Sequence, residues 1–382
     1  MTETIAERYL KLGLRLGRHV DGLVDSYAGP PEFAAQVEAE PLREPAALAS
    51  DAEELLGDLD DGWLRDQAHG LLTWASFAAG ASGSYADEVE GSYGVRPEHT
   101  DEAVFEAAHR ELEGLLPGEG PLGERYESWR HSITVPPDRI EGAVAALIEE
   151  ARAWTREIVE LPQGEGVDLE VVRNKAWLAF CEYQGGLRSQ ISVNADLPIS
   201  AFELLHVTCH ETYPGHHVER VCKDDLLVRG RGVLEETIVM VPTPQSLVSE
   251  GIAELGSELL LGSEAGERLT AVLANAGIEL DLVHALAVWR AMEPCRWAEV
   301  NAALMLHQDG GSDADAREYL QRWGLMPAEY AAHVVRFMTE PTTRTYVINY
   351  SAGRALCREY VDRDPARFRR LLTEQVRVRD LT

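Results

Sequence analysis

One short segment of the sequence, residues 206–217, concentrates side chains that can bind a metal ion. It contains one glutamate, Glu211, and four of the chain's twelve histidines, namely His206, His210, His216 and His217. Catalytic zinc sites use three protein ligands, commonly histidine nitrogens and carboxylate oxygens, and leave a further position for water. This concentration of ligand types therefore predicts a metal site that activates water for hydrolysis.

The spacing within this segment follows the start of a zinc-hydrolase helix and then departs from it. His210 and Glu211 match the first two positions of the His-Glu-x-x-His motif, in which the histidine binds the metal and the glutamate is the general base. Pro214 stands where the second histidine is expected. Because proline cannot continue a regular helix and Gly215 tolerates unusual backbone dihedrals, the chain can fold back at this point.

The second histidine ligand must then come from beyond the break. In a regular helix His216 would lie about 9 Å along the axis from His210, which is too far for a shared ion. A bulge or loop at the Pro-Gly pair can bring either His216 or His217 back towards His210. We favour His216, because it needs the smaller insertion, and expect His217 to lie behind the ligands or to face the substrate.

Two other interpretations of the histidines stay open at this level. His206 and His210 are four residues apart, so an intact helix would let them bind a metal together without any distortion. Glu211 would then not occupy its usual place between two ligands. Alternatively, the histidines are hydrogen-bonded polar residues in a buried corner and bind no metal.

A later helix is expected to supply the third ligand. Glu250 fits best, because it lies together with Glu254 off the apolar stripe of its own segment. The neighbouring Gly251 and Ala253 are small and would let a second helix approach closely. A solvated acidic face is the alternative interpretation of these glutamates.

Apolar residues at helical spacing predict a mostly α chain around this site. The predicted helices cover residues 5–27, 45–56, 63–79, 102–116, 140–161, 247–261, 269–292, 298–305, 314–323, 327–338 and 351–360. Residues 187–193 predict a short strand at a sheet edge, to which an extended peptide could add, or else an irregular loop. We expect a zincin-like helical metallohydrolase with at most a small β-sheet beside the metal-site helix. The chain, 1–382, is expected to form one catalytic unit, with an N-terminal helical subregion 1–135 and a metal-site subregion 136–382.

The composition narrows the partners and the compartment. A formal net charge of −30 at pH 7 repels nucleic acid and anionic lipid. No apolar stretch reaches the length of about 18 residues that predicts a membrane span. The five cysteines are odd in number and widely spaced, and the first residues lack the features of a signal peptide. We therefore expect a cytoplasmic protein that acts on a small molecule or a short peptide.

Several segments together resemble the DUF885 family, bacterial proteins that look like zinc-dependent peptidases of the gluzincin type. Residues 210–217 are similar to the His-Glu-x-x-Pro-Gly-His-His signature of that family. Weaker similarities extend over nearly the whole chain, at residues 22–30, 115–120, 194–198, 249–254 and 349–353. Ile252 stands where the family usually has an aromatic residue, and the chain is shorter than many members. It therefore leaves less room for substrate-binding additions.

The resemblance implies a metal site and a class of reaction. One zinc ion would be bound by His210, by His216 or His217, and by Glu250. Glu211 would be the general base. The expected function is a zinc-dependent hydrolase that cleaves a peptide bond with metal-activated water.

Aromatic and basic residues complete the predicted site. Tyr350 is the first candidate for a donor to the oxyanion, followed by Tyr213 and Tyr346. Arg344 and Arg354 flank Tyr350, and either could bind a substrate carboxylate through paired hydrogen bonds. That arrangement would make the enzyme a carboxypeptidase or a dipeptidase, with Tyr213 as a further substrate contact.

Two other functions remain open on the sequence alone. The same metal centre could hydrolyse an amide or ester in a small molecule that is not a peptide. A metal-binding or interaction protein without turnover is the second, because the Pro-Gly interruption could leave the metal weakly bound.

Overall fold

The computed structural model describes residues 3–173, 175 and 178–382. Helices make up most of these residues, so the predicted mostly α fold is confirmed. The helices are α1 (Ile5–Gly17), α2 (Pro31–Ala39), α3 (Pro45–Asp58), α4 (Trp63–Ala78), α5 (Tyr85–Tyr93), α6 (Glu102–Leu115), α7 (Leu122–Ser132), α8 (Ile140–Ile158), α9 (Ala201–Glu211), α10 (His216–Lys223), α11 (Pro244–Leu261), α12 (Glu264–Asn275), α13 (Leu282–Met292), α14 (Trp297–His307), α15 (Asp313–Trp323), α16 (Ala328–Thr339), α17 (Val347–Val361) and α18 (Pro365–Thr373). None of the helices in this part of the chain combines the length and apolar character needed to cross a bilayer.

The strands form two small sheets. They are β1 (Val24–Tyr27), β2 (Gly166–Val172), β3 (Ala179–Gly185), β4 (Arg188–Asn194) and β5 (Ile238–Met240). β1 and β5 pair antiparallel, and the larger sheet has the order β2-β4-β3. The strand predicted over residues 187–193 is present as β4, but its placement at an edge is wrong. Both sides of β4 are paired, so β2 and β3 are the edge strands, and β3 contacts α9, α10 and β1.

The helix predicted over residues 5–27 is too long. α1 ends at Gly17, where a Cβ atom would lie 2.6 Å from Val24 Cγ2. Glycine therefore lets the chain reverse closely between α1 and β1. Gly22, within this turn, has a φ of +78°, which glycine adopts without strain.

A similar break divides the helix predicted over residues 269–292. α12 and α13 occupy the two ends of that range, and the chain between them turns at Gly277, with a φ of +74°. The apolar residues on both sides of the turn have helical spacing, so the sequence pattern predicted one continuous helix through this glycine. Such interruptions account for most of the differences in helix bounds.

The buried apolar residues of the described part of the chain form one large cluster and three smaller ones. The second largest joins α1, α3 and α4 to β5, and the large one contains residues from α5 onwards. Because α5 packs in the same cluster as α8, the division between the clusters does not coincide with the predicted boundary at 135/136.

α11 passes through the large cluster and carries the predicted third ligand. Sixteen of its eighteen residues are buried. α17 crosses it at two glycines: a Cβ on Gly251 would lie 2.3 Å from Gly353 O, and a Cβ on Gly353 would lie 2.3 Å from Leu247 O. The close approach expected beside Glu250 is therefore present, and α17 provides it.

Candidate metal centre

The break in the histidine segment is a sharp turn between α9 and α10. α9 begins with a capping box, in which the Ser200 side chain and Glu203 satisfy each other's backbone N–H groups, and it ends at Glu211. The Gly215 N–H donates to Cys209 O at 3.2 Å. A Cβ on Gly215 would lie only 1.8 Å from His210 O, so only glycine fits. This contact sets the first residue of α10 directly against the last turn of α9.

The turn brings His210, His216 and Glu250 together. His210 Nε2 lies 3.4 Å from Glu250 Oε2, and His216 Nε2 lies 3.5 Å from Glu250 Oε1. The two imidazole rings are nearly perpendicular, with centroids 4.7 Å apart. One candidate ligand atom from each residue lies within 4.8 Å of the other two. Two ligand atoms of one tetrahedral zinc ion are about 3.4 Å apart, so these three residues, called the ligand triad below, fit one ion.

A polar atom without a partner supports that fit. Glu250 Oε2, which lies 3.4 Å from His210 Nε2, is buried and has no hydrogen-bond partner among the described residues. Leaving such an atom unpaired destabilises a fold by about 1–3 kcal/mol, and more where the group is charged. Burial alone would lower the pKa of His210, but Glu250 and Glu211 raise it to about 9. The position therefore favours positive charge, which a bound divalent cation would supply.

Glu250 is fixed by a hydrogen bond from the crossing helix. The Tyr346 hydroxyl, at the start of α17, donates to Glu250 Oε1 at 2.6 Å. Burial alone would raise the pKa of Glu250, but His216 and His210 hold it well below its usual range. The carboxylate is therefore charged and held at the triad.

A chain of hydrogen bonds orients His216. Its Nδ1 lies 3.1 Å from Ser249 Oγ, and Ser249 donates its own hydroxyl proton to Glu219, which also pairs with Lys223 at 2.7 Å. Because the Ser249 proton goes to Glu219, the serine oxygen accepts from His216. His216 therefore carries its proton on Nδ1 and turns the lone pair of Nε2 towards the triad, as second partners of metal-bound histidines do.

Glu211 and Tyr350 both border the triad. Glu211 is 9% exposed, and its carboxylate accepts no hydrogen bond from the described residues. Burial raises its pKa, against the effect of His210 and His216. Burial, then Glu250 and Glu211, raise the pKa of Tyr350 well above its usual value. The Tyr350 ring lies against that of Tyr346, with centroids 5.7 Å apart, and Tyr346 in turn donates to Glu250 of the triad.

His206 belongs to a second cluster beside the triad. Its Nε2 lies 3.6 Å from Glu254 Oε1, which is also 3.7 Å from His210 Nδ1. These three residues meet the distance requirement for a metal site as well. However, Arg296 binds both oxygens of Glu254 at 2.6 and 2.9 Å. A cation at this position would meet the arginine charge, so the triad is the better candidate.

His217 and Tyr213 lie away from the triad, in a buried network around Glu165. His217 contacts Ser189 Oγ through Nδ1 at 2.8 Å and Glu165 Oε2 through Nε2 at 3.0 Å. The Tyr213 hydroxyl donates to the same carboxylate oxygen, and Arg152 pairs with the other at 2.6 Å. Tyr213 is fully buried in this network, away from the position predicted for a substrate contact.

The two predicted arginines are also committed elsewhere. Arg354 is 2% exposed, lies under the Trp289 ring, and its nearest carboxylate is Glu258 at 3.2 Å. Arg344 pairs with Glu88 at 3.3 Å. Arg354 is therefore enclosed away from solvent beside Glu258, and the partner of Arg344 lies on α5 rather than in the triad.

Sequence reasoning missed two charged residues close to the triad. Arg220 lies one helical turn after His216, at the i+4 position, and this spacing could have indicated it. Asp25 lies at a bulge in β1, where the pairing with β5 shifts between Val24 and Ser26. Asp25 reaches solvent, but desolvation by the surrounding protein raises its pKa, against the effect of Arg220 and His216. No local pattern connects β1 with the histidine segment, so Asp25 could not have been found from the sequence.

Comparison with known proteins informs the fold. No protein-family model matches the chain, and no curated protein matches it. The chain is similar to a crystal structure described as that of "the putative lipoprotein from Colwellia psychrerythraea", with a TM-score of 0.56 and 16% sequence identity. The match covers 92% of this chain and 57% of that one, so this chain spans little more than half the length of that protein. At this identity, the likeness shows the fold alone.

Proposed function

We propose that the protein is a zinc-dependent hydrolase that cleaves a peptide bond in a short peptide. The observation that carries the proposal is the convergence of the ligand triad beside Glu211, a buried carboxylate with no partner among the described residues. Metal ligands alone would fit a storage or structural site. An adjacent free carboxylate is what hydrolysis needs in addition, since it can take a proton from water.

The residues around the triad have complementary roles in this proposal. A zinc ion held there would polarise the scissile carbonyl and lower the pKa of water towards about 7. Glu211 accepts the proton of the attacking water and delivers it to the leaving amine. Tyr350 donates a hydrogen bond to the developing oxyanion, for which its hydroxyl must be protonated. Burial, which raises the pKa of Tyr350, favours that state.

Metal analysis combined with one substitution tests the proposal. Wild-type protein and the Glu211→Gln variant are loaded with zinc, and bound metal is measured before digestion of a short-peptide library. We expect about one zinc ion per chain in both proteins and loss of cleavage in the variant alone. Cleavage of small amides or esters without any peptide cleavage would favour the non-peptide hydrolase.

Two further results would contradict the proposal. Stoichiometric zinc with no cleavage of any amide or ester would indicate a non-catalytic metal-binding protein. Failure of the wild-type protein to bind zinc would exclude both metal-dependent functions. The predicted resemblance to the DUF885 family agrees with the proposal, but the proposal does not depend on it.

We propose in addition that the protein is located in the cytoplasm. The five cysteines of the chain are free, which is typical of proteins in a reducing compartment. The similar crystal structure is described as a lipoprotein, so cell fractionation is a direct test. Recovery of the protein in the membrane fraction would contradict the proposed location.

A further inference from the structure

We infer that Arg220 binds the terminal carboxylate of the substrate, which makes the site selective for the C-terminal residue of a short peptide. This inference rests on the proposed function of the same site and adds the substrate group that it recognises. It also replaces the role that the sequence had suggested for Arg344 and Arg354.

The position of Arg220 places a guanidinium beside the triad. His216 and Arg220 are four residues apart on α10 and therefore share one face of the helix. Both contact the same hydroxyl: His216 Nδ1 lies 3.1 Å from Ser249 Oγ, and Arg220 Nη2 lies 3.3 Å from it. Only the Ser249 oxygen thus separates the guanidinium from a ligand imidazole.

Arg220 has no ion pair in the described part of the chain, whereas Arg152, Arg296 and Arg354 each have a carboxylate oxygen within 3.2 Å. Within residues 3–173, 175 and 178–382, no carboxylate oxygen lies within 4.0 Å of the Arg220 guanidinium. Leaving a partly buried charge without a close partner is unfavourable unless a ligand completes it.

The surrounding acids favour the charge of Arg220 without binding it. Burial alone would lower its pKa, but Glu219 and Asp25 raise it. Glu219 is already hydrogen-bonded by Lys223 and Ser249. The guanidinium therefore stays fully charged while most of its N–H groups remain available to an anion.

Geometry and charge both favour a carboxylate as that anion. The planar N–H fork of arginine matches a carboxylate with two parallel hydrogen bonds. In a peptide cleaved before its last residue, the terminal carboxylate lies about one residue, roughly 3.5 Å, beyond the scissile carbonyl. A chain with a net charge of −30 repels anions in general. Selective binding of an anionic substrate group therefore requires a cation fixed close to the site.

A pair of matched substrates tests this inference. The kcat/KM of the zinc-loaded wild-type protein is measured for N-benzoylglycyl-L-phenylalanine and for its C-terminal amide. We expect the free acid to be preferred by about 10- to 100-fold, as for a charge-assisted hydrogen-bonded pair. In Arg220→Met, the ratio of kcat/KM for the acid to kcat/KM for the amide should fall close to one. Arg229→Met is the control, because Arg229 is exposed and pairs with Asp224, and it should keep the wild-type ratio.

A binding measurement separates failure of this inference from failure of the proposed function. Calorimetry of the acid and the amide is carried out on zinc-loaded Glu211→Gln protein, with and without Arg220→Met. Preferential binding of the acid that depends on Arg220 supports the carboxylate site even if the wild-type protein hydrolyses neither compound. Two results would overturn the inference: equal affinity and equal kcat/KM of the wild-type protein for the acid and the amide, or a preference for the acid that persists in Arg220→Met.

A second variant keeps the inference testable if Arg220→Met does not fold or does not bind zinc. If Arg220→Met does not bind zinc, Arg220→Lys takes its place, because lysine keeps the charge but loses the two-pronged geometry. An acid-to-amide ratio below the wild-type value supports the inference, and an unchanged ratio overturns it.

Discussion

Glu165 holds His217 in a buried network apart from the ligand triad, and replacing it with glutamine tests that role. Its side chain is 1% exposed and contacts His217 Nε2 at 3.0 Å. It also pairs with Arg152 at 2.6 Å and accepts a hydrogen bond from Tyr213. Glutamine keeps the shape of the side chain but removes the charge that these three partners share.

The expected effect can be worked out from the ionisation of the carboxylate. Burial alone would raise the pKa of Glu165, but His217, Tyr213 and Arg152 lower it from 4.5 to about 2. A difference of about 2.5 units corresponds to about 3 kcal/mol of unfolding free energy. Because the pKa is lower in the folded state, this stabilisation is present above the unfolded-state value. It is lost as the pH falls towards about 2.

Urea unfolding of both proteins, in the presence of a chelator, measures this effect. At about pH 7 we expect Glu165→Gln to be less stable than wild type by about 3 kcal/mol, and at about pH 3 by about 1 kcal/mol. Glu150→Gln is the control, because its partner Arg268 is exposed, and it should change stability by less than about 1 kcal/mol. Zinc affinity should not change in either variant. A stability difference independent of pH, or loss of zinc binding in Glu165→Gln, would refute the reasoning.

Three further substitutions probe how the triad is assembled. Gly215→Ala places a Cβ atom 1.8 Å from a backbone oxygen of α9, so we expect zinc binding to be lost in a chelator competition, with helical circular dichroism retained. Tyr346→Phe removes the 2.6 Å hydrogen bond to Glu250 and should weaken zinc affinity about 10- to 100-fold in the same assay; unchanged affinity would contradict its role. Gly251→Ala places a Cβ atom 2.3 Å from the α17 backbone and should lower the unfolding free energy by about 3 kcal/mol or more. Gly57→Ala, which meets no atom within 4 Å, should leave that energy unchanged or raise it by up to about 1 kcal/mol.

The break in the histidine segment was predictable because its causes are local. Pro214 and Gly215 determine the backbone around themselves, so the end of α9 and the return of the chain follow from residue types alone. The helix carrying Glu250 was predictable for a similar reason, since small neighbours indicate a close helix crossing. The identity of the crossing helix was not, because Gly353 meets Gly251 through tertiary packing that no local pattern encodes.

The predictions that failed depended on long-range pairing. The strand over residues 187–193 has the composition of a strand, but its two partners determine whether it lies at an edge. Arg354 looks like any free arginine in the sequence. In the structure it is buried under Trp289 and faces Glu258, and these contacts join distant parts of the chain.

His216 and His217 are chemically identical, but α10 directs their side chains towards different partners. Consecutive helical positions point about 100° apart, so neighbouring histidines cannot face the same partner. His216 faces Glu250 and Ser249, and its helical neighbour at i+4, Arg220, faces the same way. His217 faces β4 and Glu165, where a buried carboxylate already holds it. The face of α10 that approaches the triad therefore carries His216 of the triad and Arg220, a cation without an ion pair among the described residues, and this combination is the basis of the site that we propose for a peptide's last residue.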